Sequence, residues 1–81
     1  MKVQVRLFAV AKQLAGQELV NLELPEGATI AQVREQLAAD LPALAPVLSH
    51  VLFAIGTNYA QDSQVVTPAD AIACIPPVSG G

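Results

Sequence analysis

The sequence predicts an α+β fold, with one main helix laid across one face of a mixed sheet and a flexible tail at the C-terminal end. Three observations carry that expectation. Apolar and polar residues alternate in several short stretches, as half-buried strands require. One central stretch repeats its apolar residues at helical spacing, and turn residues punctuate the chain between these segments. At 81 residues the chain has room for a single domain, 1–81, in which 76–81 is the extended tail.

Val3, Val5 and Leu7 alternate with Lys2, Gln4 and Arg6, which marks a first strand. Ala9–Ala15 is a short helical or looped stretch stopped by Gly16, and residues 19–24 alternate again, with Val20, Leu22 and Leu24 on one face. The two strands fit an antiparallel pair, closed off by the turn Pro25-Glu26-Gly27. Thr29 opens the best helix, because Gln32 stands three residues on and completes a T-x-x-Q capping box. Ile30, Val33, Leu37 and Leu41 follow at helical spacing, while Gln32, Arg34, Glu35 and Gln36 mostly face away. Pro42 ends the regular part, and residues 44–48 form a looser apolar segment. Val51, Phe53 and Ile55 read as a third strand, turned at Gly56-Thr57-Asn58 into a minor strand or loop over 59–66. After the turn Pro68-Ala69-Asp70 comes a final strand over 71–75. A hairpin, a crossing helix and returning strands in this order make the β-grasp, or ubiquitin-like, arrangement. Its expected core includes Val5, Leu7, Leu22, Val33, Leu37, Phe53 and Ile72.

Composition limits the function. Hydrophobic residues make up 53% and charged residues 14%, against roughly a quarter charged in ordinary domains. So small a domain must turn some apolar surface outward, which points toward a protein partner. The formal charge is −3, and Lys2, Arg6, Lys12 and Arg34 are the only fixed cations, too few for a phosphate-binding patch; nucleic acid is excluded as a partner. No apolar run has the length of a membrane span, and Met1-Lys2 leads into a strand pattern instead of a signal peptide, so a cytoplasmic protein without membrane contact is expected.

Catalytic chemistry finds little support. His50 stands beside Ser49, but neighbours in sequence rarely meet as nucleophile and base, and no orienting acid is evident. Cys74 cannot form an internal disulfide, and between Ala73 and Ile75 a small buried thiol packs well; no cation stands near it in sequence to activate it. One His and one Cys do not build a zinc shell, so no metal site is expected. Glu23, Glu26, Asp62 and Asp70 lie at turns, and Gly16, Gly27 and Gly56 stand singly, with no phosphate loop among them.

The end of the chain, IPPVSGG, is different. Pro76 and Pro77 favour an extended, stiff exit from the last strand. Residues 76–81 can span roughly 20 Å at about 3.3 Å each. Val78 and Ser79 lead to Gly80 and Gly81, which carry no side chains and could pass a narrow channel. A diglycine after a β-grasp pattern and two prolines marks the terminus, Gly81 above all, as the candidate site.

Three stretches together, VRLFAVAKQLAG, LPEGATIAQVREQL and IPPVSGG, resemble the small sulfur-carrier subunits of molybdopterin synthase nearly end to end. The last stretch is the most specific; the first two mainly report the fold. The chain departs from that family's pattern at Ala69-Asp70, where Gly-Asp is common, and in IGTNYAQDSQ. The resemblance implies that the Gly81 carboxylate is adenylated by a ubiquitin-activating-like adenylyltransferase using ATP, as a transient acyl-AMP, and then converted to a thiocarboxylate with sulfur from a donor. It also implies that Pro76, Pro77, Val78, Ser79 and Gly80 thread into the large subunit, in a heterotetramer of two small and two large chains. There the sulfur passes to a pterin precursor, to build the dithiolene of molybdopterin. Such a chain holds no cofactor tightly and is not catalytic alone. Three alternatives stay open: a sulfur carrier for another pathway such as thiamine synthesis, a ubiquitin-like modifier joined to lysines through Gly81, and an interaction module whose diglycine is incidental.

Overall fold

The computed structural model describes residues 1–77. Five strands form one mixed sheet: β1 (Lys2–Leu7), β2 (Leu19–Glu23), β3 (Leu52–Ile55), β4 (Asn58–Ala60) and β5 (Ile72–Ile75). Their spatial order is β2-β1-β5-β3-β4; β1 and β5 run parallel at the centre, and every other pairing is antiparallel. The helices are α1 (Ala9–Ala15), α2 (Ile30–Asp40) and the single turn α3 (Ala45–Leu48), which follows a 3₁₀ turn at Pro42–Leu44. This is the expected α+β, β-grasp arrangement.

Period-two patterning decides which side of the sheet is dry. Val3, Val5 and Leu7 of β1 are buried, as are Val20 and Leu22 of β2, and the register aligns Val5 with Ile72 and Leu7 with Cys74. On β3, Phe53 faces Cys74 and continues the same layer. Helix α2 contributes Ile30, Val33 and Leu37 to the core, and all seven expected core residues are buried.

Local chemistry fixes the helix ends. At α2 the Thr29 N–H donates to Gln32 Oε1 at 3.0 Å, the glutamine half of the expected capping box. The stretch left open between helix and loop is helical, and Gly16 ends it with φ +70, its N–H donating to the Lys12 carbonyl at 3.0 Å. A Cβ at Gly16 would meet nothing within 4 Å, so Gly16→Ala carries only the backbone cost of a left-handed conformation. We expect that substitution to lower stability by about 1 kcal/mol, measured by urea denaturation.

Arg34 does not face away as helical spacing implies. Its guanidinium lies 5.0 Å from the centre of the Phe53 ring, donates to the carbonyls of Leu48 and Val51, and pairs with Asp62 Oδ1 at 2.9 Å. The long aliphatic stem covers apolar surface while the head satisfies carbonyls outside the ladder, and α2 is thereby tied to the approach to β3.

Candidate functional site

The sheet has two faces, and only one is covered by helices. On the other, the register brings Leu19, Arg6, Ala73, Ala54 and Tyr59 into one row. The next row toward the tail pairs Ile75 with Leu52. Phe8 extends it on the β1 side: its backbone is extended, and its N–H donates to the Cys74 carbonyl at 3.2 Å. Phe8 is 42% exposed, Leu52 53% and Tyr59 70%. Exposed apolar side chains therefore stand on both flanks of the point where β5 gives way to the tail. These residues were not singled out from the sequence, although alternation around Phe53 already puts Leu52 and Ala54 on the face opposite the core.

Charge on this side is balanced locally. Glu18 accepts from Arg6 at 2.6 Å and from Lys12 at 3.2 Å. The hydrogen bond from Lys12, with the charges of Lys12 and Arg6 beside it, holds the Glu18 carboxyl below its usual range. All three groups are exposed, so the pairs do little for stability; on the tail side of them the next row, Phe8, Ile75 and Leu52, is apolar.

The tail residues divide. Pro76 is buried and Pro77 exposed, while Val78, Ser79, Gly80 and Gly81 lie outside the described residues. The turn before β5 closes without glycine: Asp70 Oδ2 accepts from the Thr67 N–H at 2.7 Å, and the Asp70 N–H returns to the Thr67 carbonyl at 3.1 Å.

The other residues weighed for chemistry have structural surroundings. His50 is exposed. Cys74 is fully buried, and its burial pushes the thiol from the usual 9.0 up to about 11, although Arg34, near in space, pulls the other way. The Arg34 charge was invisible in the local sequence, and desolvation outweighs it. Because the folded pKa is raised, the unfolded chain loses this proton first. Stability should therefore be unaffected below pH 9 and fall between about pH 9 and 11, an effect absent from Cys74→Ala. The same burial should keep the thiol unreactive toward an aromatic disulfide reagent at pH 8 until the protein is unfolded. Among the described residues no group of three or more His, Cys, Asp or Glu is gathered that could hold a metal ion, and no helix is long and apolar enough to cross a membrane.

Comparison with known proteins places these features. The model of the ThiS family matches residues 5–81. The molybdopterin synthase sulfur carrier subunit of Arabidopsis thaliana is 37% identical over 81 residues, covering 100% of this chain and 84% of that protein. Among solved structures, small archaeal modifier protein 1 (SAMP1) from Haloferax volcanii superposes with a TM-score of 0.87 at 26% identity, covering 100% of both chains. A complex of subunits 1 and 2 of molybdopterin-converting factor from Helicobacter pylori contains the same fold, with a TM-score of 0.62 at 22% identity and full coverage of both chains.

Proposed function

The chain belongs to the ThiS family, and on that footing we propose that it is the sulfur carrier subunit of a molybdopterin synthase, with the C-terminal carboxylate of Gly81 as its reactive group. The observation that carries this function is the whole-length similarity to a molybdopterin synthase sulfur carrier subunit, in a chain whose sequence runs to IPPVSGG. A carboxylate is a poor electrophile. In the proposed cycle a Gly81 oxygen attacks the α-phosphorus of ATP on an activating adenylyltransferase, and pyrophosphate leaves. Sulfide-level sulfur from a donor then attacks the Gly81 carbonyl carbon, the C–O bond to AMP breaks as the C–S bond forms, and AMP leaves behind a thiocarboxylate. The unbranched glycine keeps that carbonyl open to attack. The large synthase subunit next accepts the tail, and the sulfur passes to a pterin precursor.

Catalytic groups come from the partners in this scheme. The carrier supplies a folded handle, a thin terminus and an apolar face around Phe8, Ile75, Leu52 and Tyr59. Burying that face would shelter surface that so small a core cannot cover. The large subunit and the activating enzyme both need the same terminus, so they compete for it; with the large subunit the carrier forms an assembly of two small and two large chains in the cytoplasm. No cofactor is held tightly; ATP is consumed on the activating enzyme.

The likeness to an archaeal modifier protein supports a second function, conjugation of Gly81 to lysine amines. A sulfur carrier for another pathway, such as thiamine synthesis, would use the same thiocarboxylate. Intact mass of the protein purified from its native host separates carrier from modifier. A gain equal to replacing one oxygen by sulfur supports a carrier, whereas branched peptides joining Gly81 to lysines, without that gain, would count against it. Molybdopterin formation from the loaded protein and the large subunit distinguishes this pathway from other carriers.

A further inference from the structure

The two adjacent prolines differ in their surroundings. Ile72, Cys74 and Pro76 follow one another at period two and all are buried, whereas Pro77 is exposed. The inward face of β5 thus continues one residue past its last paired position, Ile75 opposite Leu52. Proline suits such a place because it has no N–H to strand in a dry interior, and its ring holds φ near −65°. A ring buried at this position fixes the direction of the chain just where pairing ends.

We propose that Pro76 is a positioning residue for sulfur delivery: its buried ring is the fixed root of the tail, and Pro77 is the first residue free to enter a partner. This rests on the sulfur-carrier function proposed above and deepens it. From that root, residues 77–81 can reach at most about 16 Å at roughly 3.3 Å per residue. A root held in one direction delivers the terminus to one place relative to the docking face. An unseated root lets the tail sample many directions, so a docked carrier holds its terminus in the reactive position for less of the time. Opening at the root that exchange detects is a rare excursion, so the docking face around Phe8 and Leu52 stays formed nearly all the time, and the loss falls on the transfer step and spares affinity.

Three variants, Pro76→Gly, Pro76→Val and Pro77→Gly, test this in single-turnover transfer from the thiocarboxylated protein to the large subunit with its pterin substrate. Pro76→Gly should slow transfer at saturating large subunit by about tenfold or more, with the half-saturating concentration unchanged within about twofold. Pro76→Val, which restores apolar bulk but adds one backbone N–H, should recover part of the rate. Pro77→Gly, which loses stiffness but no anchor, should slow transfer by only about threefold. Equal losses at the two prolines, failure of valine to rescue, or a raised half-saturating concentration at unchanged maximal rate would each overturn the proposal. Amide hydrogen exchange at Leu52 and Ile75 reads the anchor without any transfer: it should quicken in Pro76→Gly and not in Pro77→Gly. Unchanged exchange in Pro76→Gly refutes the anchor whatever the activity. Quickened exchange beside a wild-type protein that transfers no sulfur keeps the anchor and removes the carrier function instead.

Discussion

Deleting Gly81, or adding one residue after it, is expected to abolish sulfur transfer while leaving the fold intact. Each change displaces the terminal carboxylate by about 3.3 Å along an extended chain. Misplacement of reacting groups by even ~1 Å can cost on the order of 10²-fold in rate, so transfer should drop by at least that factor. A side chain at Gly80 or Gly81 should also be harmful, if the proposed passage into the large subunit admits only bare backbone. The hydrophobic core is assembled within residues 1–77, so stability should stay within roughly ±0.5 kcal/mol. His50→Ala is the contrasting control, since His50 is exposed on a turn and takes no part in the proposed cycle. The measurement is molybdopterin formation in vitro with the activating enzyme, ATP, a sulfur donor and the large subunit. Full activity from a chain lacking Gly81 would mean that the terminus is not the reactive group.

The largest expected effect on stability is at Phe53. It is among the largest fully buried side chains, packs under the Arg34 guanidinium and faces Cys74 on the neighbouring strand. Phe53→Ala leaves a cavity where α2 and the sheet meet, and should cost about 3–5 kcal/mol. In a domain of this size each kcal/mol lowers Tm by roughly 4–8 °C, so a fall of about 12–40 °C is expected in a thermal melt. Phe53→Leu, which keeps most of the volume, should lose much less. Leu52→Ala, one residue away on the opposite face, should melt within a few degrees of the wild type yet bind the large subunit more weakly. A stable Phe53→Ala protein would mean that β3 is not the inner wall of the core.

Most of the fold was legible because its signals are local. Alternation at Val3, Val5 and Leu7 and again at Val20, Leu22 and Leu24 depends only on the pleat of a strand. The Thr29–Gln32 capping box and the Ile30, Val33 and Leu37 spacing depend only on the geometry of a helix. Gly16 and Pro42 likewise stop helices by their own backbone chemistry. The chemical character of the terminus was legible for the same reason, since diglycine after two prolines is a property of those residues themselves.

What stayed hidden required residues far apart in sequence to meet. Arg34 looked like a solvated helix residue, and only the fold brings Leu48, Val51, Asp62 and the Phe53 ring within its reach. The sequence places no cation near Cys74; the fold supplies one in Arg34 and then overrides it by desolvation. Phe8 and Leu52 become one apolar surface only because β5 inserts between β1 and β3. The strands, the main helix, the inward-facing residues and the marked terminus are written in neighbouring residues, because periodicity, capping and turn chemistry act over short stretches. Which outward residues share a face, and that Pro76 is buried while Pro77 is not, follows from the packed fold, because strand order and burial are set by contacts that no local pattern encodes.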